Sequence, residues 1–201
     1  MWFVLAVVTF VVLAVVLFYF SVFKRDPLRS VPRGNHLVCP TDGRVISIAH
    51  TSDRSLQVNK GSFGRITALC SDVAADCTLV SIMMTPLDVH FQRAPIDGVI
   101  KKIKHSPGKF KNAVLNRDWA MLENEKNEIL IEGAQGRVKV IQIAGILARR
   151  IKCFVEEGQV VQQGQKIGFI DIGSQVTLIV PRSRTISVLP GARVLGGETI
   201  L

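Results

Sequence analysis

The first 23 residues constrain this chain more than any other stretch. They read MWFVLAVVTFVVLAVVLFYFSVF, with no charge, no Gly and no Pro. As a helix rising 1.5 Å per residue the segment would be about 34 Å long, enough to cross a hydrocarbon core of about 30 Å. Trp2 and Tyr19 lie near its ends, where interfacial aromatics belong. A cleaved signal peptide would carry a basic leading region, a shorter apolar core and a small-x-small cleavage site, and none is present. Residues 1–23 are therefore read as a retained transmembrane anchor. Lys24, Arg25, Arg29 and Arg33 follow it. By the positive-inside rule they place the rest of the chain on the cytoplasmic side of the cell membrane.

Two Pro, a Gly and the basic residues mark 24–37 as a juxtamembrane linker, leaving 38–201 as one β-rich domain. The net charge of +9 lies entirely outside the apolar segment. Nucleic acid is the first partner such a balance suggests, but the basic-aromatic interleaving and binding signatures are missing. Anionic headgroups of a membrane surface explain the charge at less cost. Cys39, Cys70, Cys77 and Cys153 form no Cys-x-x-Cys pair and read as reduced structural residues, with no metal site.

Within the domain, Pro40-Thr-Asp42-Gly43-Arg-Val-Ile-Ser-Ile48 returns 55 residues later as Pro95-Ile-Asp97-Gly98-Val-Ile-Lys-Lys-Ile103. Asp-Gly is a hairpin-turn signal and the apolar residues after it suit a strand, so two similar halves are expected. Residues 79–84 read as a buried strand, 128–132 and 137–143 as a hairpin around Gly133-Ala-Gln-Gly136, and 151–155 alternates like a strand. A short helix is conceivable over 112–125. Glu157-Gly158-Gln-Val-Val-Gln-Gln-Gly164-Gln is similar to the hammerhead turns of biotinyl and lipoyl carrier domains. The expected fold is mainly β, a small barrel or sandwich with hammerhead half-motifs, preceded by one transmembrane helix.

Chemistry has few places to reside. Two β-rich runs, 167–172 and 176–180, meet at Gly173-Ser174. A Gly there permits strained backbone, and the Ser hydroxyl lies beside the Gly carbonyl, where an activated hydroxyl could cut the chain. A strand kink with a solvated Ser is the plainer reading of such a pair. Of the four histidines, His90 stands out in Thr85-Pro-Leu-Asp88-Val-His90-Phe-Gln-Arg93. In an extended chain Asp88 and His90 face one side, as an orienting carboxylate and imidazole would. A surface charge cluster has the same pattern. His105 either lines a pocket or caps a turn. Metal-ligand spacing, phosphate-binding Gly loops and Gly-x-Ser-x-Gly elbows are lacking.

Several words taken together resemble the short type of phosphatidylserine decarboxylase, a family that includes archaetidylserine decarboxylases. They are Pro40-Thr-Asp-Gly43, Pro86-Leu-Asp-Val-His-Phe-Gln-Arg-Ala-Pro95, Pro107-Gly-Lys-Phe-Lys-Asn-Ala113, Asn124-Glu-Lys-Asn127, Ile141-Gln-Ile-Ala-Gly-Ile-Leu-Ala-Arg-Arg150 and Gly168-Phe-Ile-Asp-Ile-Gly-Ser174. They stand in the family's order and cover nearly all of the soluble part. The resemblance implies a proenzyme that cuts itself between Gly173 and Ser174. The Ser174 hydroxyl attacks the Gly173 carbonyl, and β-elimination and hydrolysis leave a pyruvoyl group where Ser174 was. That group forms a Schiff base with the serine amine of phosphatidylserine or archaetidylserine, accepts the charge left by departing CO₂, and yields the ethanolamine lipid.

The resemblance also implies partners and roles. The partners are the serine phospholipid, an anionic membrane surface, and the two cleaved chains in one heterodimer, with a homo-oligomer left open. Asp42 matches the family Asp that assists cleavage. The longer family type carries two His three residues apart, which here are His90 and Arg93. His90 is assigned the proton, Arg93 the steering of phosphate or carboxylate, and His105 stands in reserve for either. The alternative is a non-enzymatic membrane-anchored barrel-sandwich adaptor of the membrane-fusion type.

Overall fold

The computed structural model describes residues 1–32, 34–59, 65–107, 125–145, 150–171 and 175–201. The apolar segment is one helix, α1 (Trp2–Phe18), running into a π-helical turn over Tyr19–Phe23. None of α1 is buried, and the 22 residues Trp2–Phe23 are long and apolar enough to cross a membrane.

The other described residues are mainly β structure. Its strands are β1 (Gly43–Thr51), β2 (Ser55–Asn59), β3 (Arg65–Leu69), β4 (Cys77–Met83), β5 (Phe91–Arg93), β6 (Gly98–Ser106) and β7 (Lys126–Gly133). They continue with β8 (Gly136–Ile143), β9 (Ile151–Cys153), β10 (Val160–Val161), β11 (Lys166–Ile170), β12 (Gln175–Pro181) and β13 (Arg193–Val194). Eight strands form a curled half-barrel in the order β10-β6-β7-β8-β12-β4-β1-β13. A small sheet β5-β11-β9 and the ribbon β2-β3 complete the set.

The central strands are buried on both faces, and period-2 alternation sorts their side chains. Val80, Ile82, Leu178, Val180 and Val140 enter the main core, while Leu79, Ile179 and Ile141 enter a second one closed by Cys70 and Val73. The hairpin expected from strands at 128–132 and 137–143 is present as β7 and β8, with Gly133 opposite Gly136. The helix considered over 112–125 falls outside the described residues except at Glu125.

The repeated Asp-Gly words do not form hairpins between consecutive strands. Each is a corner at which the chain enters the large sheet: β1 starts at Gly43 and pairs with β4, and β6 starts at Gly98 and pairs with β7. Both strands shift register shortly after the corner, at Val45/Ser47 and Ile100/Lys102. Gly is required at both corners. A Cβ on Gly43 would lie 2.4 Å from the Met83 carbonyl oxygen, and one on Gly98 2.4 Å from that of Glu132.

The hammerhead turn also occurs twice. Gly158 N–H donates to Ile100 O and Gly164 N–H to Ala94 O. In the other half Gly191 N–H donates to Val45 O and Gly197 N–H to Cys39 O. All four glycines have positive φ, between 79° and 91°. The pair Gly191/Gly197 has the same six-residue spacing as Gly158/Gly164 and could have been found from it.

Candidate functional site

The short strand β5 brings the candidate residues onto the body of the domain. It pairs with β11, Phe91 opposite Phe169, and Ile170 N–H donates to the His90 carbonyl. The small sheet is fastened to the large one by a file of buried amides. Asn127 donates to Gln142 (2.9 Å), Gln142 to Gln92 (2.8 Å), and Gln92 to the His90 carbonyl (2.8 Å). Gly168 leaves room for this file, since a Cβ there would lie 2.4 Å from Gln142 Nε2.

His90 itself is fully buried. Its Nδ1 is 2.8 Å from the carbonyl oxygen of Asp88. A carbonyl can only accept, so Nδ1 carries the hydrogen, and in the neutral ring Nε2 is the basic nitrogen. That Nε2 is buried without a hydrogen-bond partner among the described residues. Burial pushes the imidazole below its ordinary range, opposed by the Asp88 carbonyl and the Asp88 and Asp171 carboxylates and assisted by Arg25. In the neutral ring the basic Nε2 edge of His90 is thus unpartnered among the described residues.

The expected carboxylate–imidazole pair takes another form. The Asp88 side chain turns to the Thr85 N–H and hydroxyl, both 2.7 Å, and to Arg193 at 2.9 Å. Its carbonyl, not its carboxylate, orients His90, because a loop rather than a strand connects the two residues.

Asp42 is also occupied. Arg29 Nη2 lies 2.9 Å from both its oxygens, and Gly196 N–H donates to it at 2.8 Å. Arg93 donates to Gly164 O at 2.9 Å and pairs with Asp26 at 2.5 Å, an aspartate that also holds Lys166 at 2.7 Å. His105 is half exposed on β6, where Nε2 meets Glu125 at 2.8 Å. Gly173 and Ser174 lie outside the described residues. Of their described neighbours, Asp171 faces the Tyr19 hydroxyl at 3.5 Å, and Gln175 is buried with its Oε1 unpartnered among the described residues.

The segment after the helix is not a free tether. Arg25 donates to the Val22 and Leu87 carbonyls, Asp26 holds Arg93, Arg29 holds Asp42, and Val31 lies under Gly164. Three contacts three residues apart, from Phe23, Asp26 and Arg29, reach His90, Arg93 and Asp42 in turn. Sequence reasoning missed this strap and the residues Tyr19, Phe23 and Asp171. Only Asp171 had a local signal, since it lies within the word ending at Ser174.

Residues 17–201 match the family model described as phosphatidylserine decarboxylase. The chain belongs to the phosphatidylserine decarboxylase family. Among its relatives, a phosphatidylserine decarboxylase proenzyme of Burkholderia ambifaria (strain MC40-6) is 37% identical over 181 residues, 89% of this chain and 76% of the relative. The proenzyme of Burkholderia mallei (strain SAVP1) is 36% identical, over 89% of this chain and 75% of the relative. That of Burkholderia vietnamiensis is 37% identical over the same shares as the first. Membership in an enzyme family favours a catalyst over the adaptor alternative.

Proposed function

We propose that the chain is a self-processing decarboxylase that removes CO₂ from the serine headgroup of phosphatidylserine or its archaeal counterpart, leaving an ethanolamine lipid. The observation that carries this reading is His90: a buried imidazole whose basic Nε2 has no partner among the described residues, beside Asp171, three residues ahead of Ser174 in the chain. Such a base can take the Ser174 proton as the hydroxyl attacks the Gly173 carbonyl, and can later move a proton at the substrate. Asp42 and Arg29 hold the first corner in place around this chemistry, and His105 remains the reserve proton carrier.

A pyruvoyl group derived from Ser174 fits the surroundings, because two buried polar atoms, His90 Nε2 and Gln175 Oε1, lack partners among the described residues. When present, that group supplies the electron sink that loss of CO₂ from an α-amino acid demands. The chain's own residues bind and orient. Arg93 can receive a phosphate or carboxylate by exchanging it for Asp26. The buried amide file keeps His90 fixed, and Phe169 and Phe91 exclude water. After the cut, residues 175–201 stay bound, because β12 lies between β4, paired along its whole length, and β8, paired over residues 175–179. The apolar helix crosses the membrane, and the net positive charge of the domain behind it favours anionic headgroups on the cytoplasmic side.

Intact-mass analysis of purified protein should find a break between residues 173 and 174, a borohydride-sensitive terminus, and an uncut Ser174→Ala chain. Vesicles containing phosphatidylserine or archaetidylserine should release CO₂ with the wild type alone. An uncut wild-type chain that still releases CO₂ would refute the reading.

A further inference from the structure

The apolar helix does more than anchor. Its π-helical turn places Phe23 inside the domain, where it is 1% exposed although α1 before it is bare. The Phe23 ring lies over the His90 ring, centroids 3.9 Å apart and planes 33° apart. It meets Phe169 edge-on at 5.9 Å and is stacked by Tyr19 at 5.5 Å. Tyr19 in turn reaches Asp171. A residue serving only as membrane anchor would have no reason to be buried against the base of the site.

We propose that Phe23 is a positioning residue for the reaction: it covers the face of the His90 imidazole, holds the ring against the Asp88 carbonyl, and keeps water from Nε2. The proposal rests on the reading of His90 as the proton carrier. Water reaching Nε2 would stabilise the imidazolium and fill the lone pair that the reaction needs. Among the described residues, the charged groups acting on the ring are the Asp88 and Asp171 carboxylates and the Arg25 guanidinium, with the Tyr19 hydroxyl reaching Asp171. None of them replaces the seal, because the Asp88 carboxylate is turned to Thr85 and Arg193. The contact also ties the anchor to the chemistry, so tilting the helix in the bilayer would move the wall of the site.

The test uses the full-length chain in lipid nanodiscs. In the Ser174→Ala background, the His90 imidazole is titrated by NMR in otherwise unchanged protein, in Phe23→Ala and in Phe23→Leu. In the cleavable background, appearance of the 174–201 fragment after cell-free synthesis is followed from pH 5 to pH 8. The expected result is a parent His90 that titrates below about 6.5, the ordinary value, moves up toward it in Phe23→Ala, and stays low in Phe23→Leu. The rising limb of the processing profile should shift upward with it. A His90 that titrates normally in the parent overturns the proposal without recourse to any variant. So does a Phe23→Ala chain whose titration and limb stay in place while its rate falls equally at every pH, the mark of a merely structural role. If the titration moves and the limb does not, Phe23 seals His90 as proposed, but the assignment of His90 as the processing base is refuted.

Discussion

The two halves of the domain use the same corner for different ends. At the second corner Asp97 Oδ1 accepts a hydrogen bond from Gln163 N–H, and at the first Asp42 Oδ1 accepts one from Gly196 N–H. Gln163 and Gly196 occupy equivalent places, each just before the second glycine of its hammerhead turn. The bond is therefore architectural in origin: a carboxylate ties each Asp-Gly corner to the turn that caps it. Only Asp42 is also buried and held by a buried arginine from the strap. A repeated structural bond has been turned, in one half, into the place where the segment behind the apolar helix is fastened.

The corner glycines should give the largest effect if the halves are alike. Gly43→Ala and Gly98→Ala each drive a Cβ into a backbone carbonyl that cannot step aside. Each should cost about 2–4 kcal/mol in denaturant unfolding, with Gly43 the worse because its φ is +146°. A chain that tolerated either alanine without loss would break the likeness of the two corners.

Next come the aspartates. Asp42→Asn leaves the Arg29 charge buried with Glu198 at 3.6 Å as its remaining partner, and should cost about 3 kcal/mol. Asp97→Asn keeps a carbonyl acceptor at an exposed site and should cost about 0.5–1 kcal/mol. Adding Arg29→Met to Asp42→Asn should recover part of the loss, as a double-mutant cycle would read. Similar costs for the two aspartates would mean that the strap adds nothing.

His90 supplies a pH dependence that the first half lacks, since Asn35 stands in the corresponding position. Its folded pKa is depressed, so the unfolded chain binds the proton more readily. The stability it contributes is complete above about 6.5, the unfolded value, and is lost as pH falls through that value toward the folded one. Unfolding free energies measured from pH 5 to pH 8 should show this slope in the wild type and a flatter curve in His90→Gln.

The outer turn glycines should show smaller effects than the corner glycines. Gly158 and Gly191 have open space where a Cβ would stand, but φ of +86° and +91°. Alanine at either should cost about 1–2 kcal/mol from backbone strain alone. Gly164→Ala should cost more, because its Cβ would displace Val31 of the strap, and thermal melts of the three variants would rank them.

Much of this architecture was legible locally. The helix, the 126–143 hairpin and the paired Asp-Gly words are properties of short stretches, set by hydrophobic period and by the backbone freedom of glycine. The meaning of Asp-Gly was misread because a turn residue dictates that the chain bends, not which sheet receives it afterwards. The second hammerhead escaped for want of comparing Gly191 and Gly197 with Gly158 and Gly164. Asp88 was assigned to His90 from strand geometry, and the loop between them gave that carboxylate to Thr85 and Arg193 instead.

The sequence by itself determined an apolar helix, a β domain of two similar halves and the short list of residues able to carry protons. Periodicity, composition and turn chemistry act over a few residues, and the chain order displays them directly. Only the tertiary structure decided that Phe23, Asp26 and Arg29 meet His90, Arg93 and Asp42. Those contacts join segments 13 to 67 residues apart in the chain. They arise from the burial of one face of a helix end and strap, which no local pattern records.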